Sequence, residues 1–119
     1  MNAQLLAIVV LVFSLAAGCA VHRSPTLRAA DEANAEDRLS DAARLWQRAL
    51  LECTQSTCRQ VKRAVFENQT ALEYAGDEAA EQGRWRDAAD SYAVVIAVFP
   101  QRDDIARKLL AARRHLRKA

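Results

Sequence analysis

Cys53 and Cys58 are the side chains of this 119-residue chain whose type and spacing most narrowly define a chemistry. Their C-x4-C spacing is not the C-x-x-C of a thioredoxin-type redox site. A zinc site needs two further ligands, and the two histidines, His22 and His115, lie at opposite ends of the chain. The carboxylate pairs Asp31-Glu32, Glu36-Asp37 and Asp77-Glu78 have no nearby His or Cys to share a task, so they read as solvated helix faces. No Gly-rich phosphate loop, Ser/His/Asp set or HExxH motif occurs. The expectation is a protein without catalytic residues, metal or cofactor.

The elements that must position the cysteines are helical. Apolar residues make up 51% of the chain, and 25 alanines stand against three glycines and two prolines. The length supports one small domain. A net charge of +2 excludes a strongly basic nucleic-acid binder. Ser24-Pro25 reads as an N-cap followed by proline at the first helical position, opening a helix that runs to about residue 36. A second spans about residues 40–53, with Leu39, Ala42, Trp46, Ala49 and Cys53 on one face. A third spans residues 58 to about 82. Its stripe Val61, Val65, Asn68, Leu72, Ala75 and Ala79 steps by four and three and is interrupted only by Asn68. Asn68 marks either core or interface. A fourth runs from about residue 86 to 98, before Pro100. A fifth starts near Asp103-Asp104 and carries Ile105, Leu109, Ala112 and Leu116.

The first twenty residues carry a separate signal. Residues 5–17 are an apolar run broken only by Ser14, and small residues then lead to Cys19. Thirteen residues are short for a membrane span, which needs about 20, and suit the h-region of a signal peptide. Leu15-Ala16-Ala17-Gly18-Cys19 resembles the lipobox of bacterial lipoproteins, with the leucine one place further from the cysteine and with no Lys or Arg in the n-region. The resemblance implies a signal peptide over residues 1–18, acylation of Cys19, a lipidated tether over residues 19–24 and a helical domain over residues 25–119. With Ala20 after the cysteine, it implies the outer membrane, facing the periplasm. An uncleaved anchor, or an ordinary signal with an incidental cysteine, are the alternatives. In an exported chain, Cys53 and Cys58 form an even pair and read as a structural disulfide. Five residues of one straight helix separate by about 7.5 Å along the axis, so the bridge demands a helix break between them. Thr54-Gln55-Ser56-Thr57 supplies poor helix interior, and Thr57-Cys58-Arg59-Gln60 reads as a capping box.

An internal repeat lies within the helices. Gly83, Trp85, Ala88, Tyr92, Val95 and Pro100, with Gly76, Leu72 and Ala79 before them, resemble a tetratricopeptide repeat over about residues 69–102. A degenerate copy over about residues 23–56 lies 46 residues upstream. There Leu39, Ala42, Trp46 and Ala49 match Trp85, Ala88, Tyr92 and Val95, and Ala30 matches Gly76. Asp37 replaces the turn glycine, and Thr54 the proline. The resemblance implies antiparallel helical hairpins of an all-α fold, closed by a capping helix over about residues 103–118.

That family binds peptides or partner helices in the groove lined by its first helices. Carried over by position, the groove would present Asp31 and Asn34, then Glu73 and Asp77, then Arg107 and Arg114. Residues 102–119 hold seven basic and two acidic side chains, which either complement a helix C-terminus or contact anionic lipid or an acidic partner. The combined expectation is a membrane-anchored periplasmic adaptor that binds a protein partner of an envelope complex for secretion, outer-membrane assembly or cell-wall machinery, with no nucleic acid. The alternative is a structural lipoprotein touching anionic lipid or peptidoglycan through its basic C-terminal helix.

Overall fold

A computed structural model describes residues 24–118. Five α-helices follow one another: α1 Pro25–Ala35, α2 Leu39–Glu52, α3 Gln55–Glu81, α4 Trp85–Val98 and α5 Asp103–Lys118. No strand occurs among the described residues. The fold is all-α, of helical-repeat type. Residues 1–18, read above as a signal peptide, and Cys19 with the rest of the expected tether before Ser24 lie outside the described residues.

Each helix begins and ends where its local chemistry directs. At α1 the Leu27 N–H donates to Ser24 Oγ at 3.0 Å, with Pro25 in the first turn. Its C-terminus reverses through Asp37, whose φ of 63° is left-handed. The Arg38 N–H donates to the Ala33 carbonyl at 2.8 Å, and the Asp37 N–H donates to Asn34 at 3.1 Å. The α3–α4 turn repeats the arrangement 46 residues later. Gly83 has φ 74°, Arg84 donates to Ala79 at 2.8 Å, and Gly83 donates to Ala80 at 3.1 Å. Helix α4 stops at Val98, and Pro100 stands in the turn that follows.

The disulfide joins Cys53 to Cys58 across a helix break, with the two Cα atoms 5.0 Å apart. The break falls earlier than the sequence pattern places it. Cys53 and Thr54 are both extended, Thr54 is the N-cap of α3, and the Thr54 N–H donates to Thr57 Oγ1 at 2.8 Å. Threonine at the third position thus does the work of the usual Glu or Gln, and α3 starts at Gln55, not at Cys58. At 27 residues α3 is about 40 Å long. Its first half lies against hairpin α1–α2, and its second half pairs with α4.

The core is one contiguous apolar layer. Leu27, Ala30, Ala33, Trp46, Val61, Val65, Leu72, Val94, Val95 and Ile105 are fully buried or nearly so. Alanines at 30, 33, 42, 43, 79 and 88 let the helices approach closely. Gly76 carries this furthest: a Cβ there would lie 2.6 Å from Tyr92 Cε1.

Candidate partner-binding site

Three helices run in the same sense from one end of the molecule: α1, α3 and α5. Both tight turns, at Asp37 and Gly83, lie at the opposite end, where Asp37, Arg38 and Asp41 share a cleft with Tyr74, Arg84 and Asp87. Ser24 and Pro25 line the same small hollow as Cys53 and Thr54, so the chain enters the domain beside the disulfide. The surface of α3 between α1 and α5 therefore divides into two halves.

The half facing α5 is occupied by ion pairs. Lys108 donates to Glu73 at 3.2 Å and to Asp77 at 3.0 Å. Arg102 reaches Glu73 at 3.2 Å and Asp104 at 2.7 Å. The Tyr92 hydroxyl, from beneath, donates to Asp77 Oδ1 at 2.5 Å. The Lys108 ammonium lies 6.0 Å from the centre of the Tyr92 ring. Burial pushes Asp77 up, but the hydrogen bonds from Tyr92 and Lys108 outweigh it and hold its carboxyl below the ordinary range. Burial and the bond to Asp77 push the Tyr92 phenol well above its usual value. These charges fasten the last helix to the repeat.

The half facing α1 is open. Asp31 and Asn34 of α1 face Gln60, Arg63, Ala64, Glu67 and Asn68 of α3 across a cleft of about 570 Å³. Asn34 Nδ2 donates to Asn68 Oδ1 at 3.2 Å, and Asn68 Nδ2 donates to the Ala64 carbonyl at 2.7 Å. The polar interruption in the α3 stripe is thus a half-buried bridge between α1 and α3. Gln60 Oε1 is buried and has no hydrogen-bond partner among the described residues.

The candidate residues fall into three groups. Asp31 and Asn34 meet at the open cleft. Glu73 and Asp77 meet at the α3–α5 clamp. Arg107 and Arg114 are exposed on α5 and join neither group. The packing residues Gly76, Ala88, Tyr92, Ala42 and Trp46 are buried, Trp85 is half-buried and Gly83 and Pro100 are exposed at turns. Trp85 stacks on His115, with ring centroids 3.7 Å apart and planes 1° from parallel, which ties the end of α5 to the Gly83 turn. Sequence reasoning did not find Gln60, Arg63 and Glu67. The available signal was the row Gln60, Ala64, Asn68, which steps by four beside the apolar stripe. Among the described residues no group of His, Cys, Asp and Glu could hold a metal ion, and no helix is long and apolar enough to cross a membrane.

A family model described as the bacterial transcriptional activator domain matches residues 17–118. No curated protein and no solved structure matches the chain.

Proposed function

The chain belongs to the bacterial transcriptional activator domain family, and from its own sequence and clefts we propose that it is a membrane-anchored periplasmic adaptor that holds a protein partner in the α1–α3 cleft. The signal sequence is read as that of a lipoprotein acylated at Cys19, and the hairpins as tetratricopeptide-type. Recurrence of one left-handed turn at Asp37 and Gly83 supports the repeat reading. The Cys53–Cys58 bridge supports an oxidising compartment. The description of the family points to activators instead; a helical docking domain suits either setting, and the bridge favours export.

The observation that carries the reading is Gln60. A buried carbonyl oxygen without a donor costs about 1–3 kcal/mol, and here it sits in the wall of an open cleft with Asn34 and Asn68 beside it. The Gln60 side chain is only half-buried as a whole, so it can turn that oxygen into the cleft to accept an N–H of a docked segment. The adaptor supplies no chemistry of its own.

The rival contact, basic α5 on anionic lipid, meets a geometric objection. The chain enters beside the disulfide, whereas the C-terminal turn of α5 is stacked at the Gly83 end. The six tether residues 19–24 span at most about 21 Å, while α5 alone is about 24 Å long. An anchored domain would therefore have to lie on its side to bring Arg113, Arg114 and Arg117 to the bilayer.

Photo-cross-linking from position 34 in intact cells, with the full chain and a Cys19→Ala control, tests the reading. One dominant envelope protein, reduced in the control, is expected. Capture of a cytoplasmic protein undiminished by Cys19→Ala would move the chain out of the envelope. Recovery of lipid or cell-wall fragments alone would favour the structural alternative.

A further inference from the structure

The face of α3 beside the end of α4 has a different chemistry. Phe66 is 60% exposed there. The end of α4 brings Val98 and Phe99 beside it, and the two phenyl rings lie 5.9 Å apart, tilted by 42°. These three side chains line a second cleft, of about 630 Å³, beside the overhanging half of α3. Its charged lining residues are Arg59, Lys62 and Arg63, all cationic. Among the described residues only Arg63 has a carboxylate near it: Glu67, 3.6 Å away, with both side chains mostly in water. Such a pair is weak and easily exchanged.

We propose that this cleft takes a segment of the partner protein that presents one aromatic or large aliphatic side chain between carboxylates. The reasoning is complementarity on two counts. The apolar floor leaves Phe66 uncovered, and an inserted ring or branched chain removes it and Phe99 from water. The rim of three cations sets the charge of whatever flanks that anchor. The site is concave, with Val98 and Phe99 half-buried, so it receives a protruding side chain. Gln60 borders this cleft as well as the α1–α3 cleft, so a partner chain crossing α3 would touch both. The inference rests on the adaptor reading and names the kind of segment the adaptor takes.

The test uses the full chain in phosphatidylcholine nanodiscs and a fluorescein-labelled Asp-Glu-Leu-Phe-Asp-Glu peptide, followed by anisotropy. Saturable binding is expected. It should fall by about tenfold or more in Phe66→Ala and in the double variant Arg59→Glu, Lys62→Glu. A Lys-Lys-Leu-Phe-Lys-Lys peptide should not bind. Because Phe66 is exposed, its alanine variant keeps the fold, which circular dichroism checks. No saturation up to about 1 mM peptide, equal binding of the basic peptide, or binding untouched by Phe66→Ala overturns the proposal. So does a dimer of the free chain that Phe66→Ala dissociates, which would give the cleft to a second copy. If the peptide fails while cross-linking from position 34 still captures an envelope protein, the adaptor reading stands and only this cleft is lost.

Discussion

Hairpin α1–α2 and hairpin α3–α4 follow the same backbone path with different residues. Both reverse through a left-handed residue, Asp37 in one and Gly83 in the other, and both continue through an arginine, Arg38 or Arg84, with ψ near 70°. Each arginine then pairs with an aspartate three residues on: Arg38 with Asp41 at 3.0 Å, Arg84 with Asp87 at 2.8 Å. The difference lies at the helix crossing. The first hairpin sets Trp46 at the position where the second sets Tyr92, and Ala30 where the second has Gly76. Trp46 is wholly buried, and its indole Nε1 has no partner among the described residues. The Tyr92 hydroxyl reaches Asp77, and the ring needs the missing Cβ of Gly76 to get there. At one crossing the aromatic side chain contributes apolar volume alone. The other trades volume for a hydrogen bond that continues into the α5 clamp.

The contrast predicts unequal costs. Trp46→Ala empties the first crossing with nothing polar to compensate, and should cost about 3–5 kcal/mol. In a domain of this size that lowers Tm by more than about 10 °C, measured by thermal circular dichroism. A loss similar to that of Tyr92→Phe, which removes one hydrogen bond worth about 1 kcal/mol, would erase the distinction.

Gly76→Ala comes next. The new Cβ would meet the Tyr92 ring, which is nearly buried and tethered at its hydroxyl, so it cannot swing away cheaply. The expected loss is about 1–3 kcal/mol. Ala30→Gly in the first hairpin should lose only the roughly 0.5–1 kcal/mol of a helical glycine. Adding Tyr92→Val to Gly76→Ala should cost less than the sum of the two, because the clash is gone.

Two aspartates then set the junctions apart by pH. Asp77, in the α3–α5 clamp, is held below its ordinary range, so its contribution is full above the unfolded carboxylate value and is lost as pH falls through the lower folded value. Asp90 packs against α2, and burial pushes it up despite Arg44 and Arg86. Its contribution is therefore greatest below the unfolded value and is lost as pH rises through the folded one. At pH 7 Asp77→Asn should destabilise, by about 0.5–1 kcal/mol for so exposed a pair, while Asp90→Asn should stabilise. Both effects should shrink towards pH 3. Urea titrations at the two pH values read the sign directly, and equal signs at pH 7 would contradict the assignment.

Much of this architecture was legible in the chain itself. The five helices follow from periodicity, from Ser24-Pro25 and from the breakers Gly83 and Pro100. The start of α3 was not, because threonine and serine are poor in a helix interior yet good in its first turn, and composition alone does not distinguish the two. The role of Glu73 and Asp77 was hidden for another reason. Spacing places both on the α3 face that looks towards α5, but it does not say that the long side chains of Arg102 and Lys108 will reach them. In the sequence Gln60 reads as the capping glutamine of a helix starting at Cys58; with the box at Thr54 and Thr57 it lies inside α3, and only the neighbouring helices make its oxygen buried.

The smallest expected effect concerns the turns, and it is symmetrical. Asp37 at φ 63° bears the steric cost of a Cβ in the left-handed region, which aspartate tolerates better than most residues. Gly83 at φ 74° does not bear it, and no atom would meet a Cβ there. Backbone conformation alone therefore separates the two positions. Asp37→Gly should stabilise by about 0.5 kcal/mol, the relief of strain being offset in part by a freer unfolded chain. Gly83→Asp should destabilise by a similar amount. The double exchange should return Tm to within about 2 °C of the parent, since the turns lie at separate positions with the same geometry. A double variant well below the parent would mean that Asp37 does more than turn the chain, through its carboxylate near Arg38 and Ser40 in the cleft at that end.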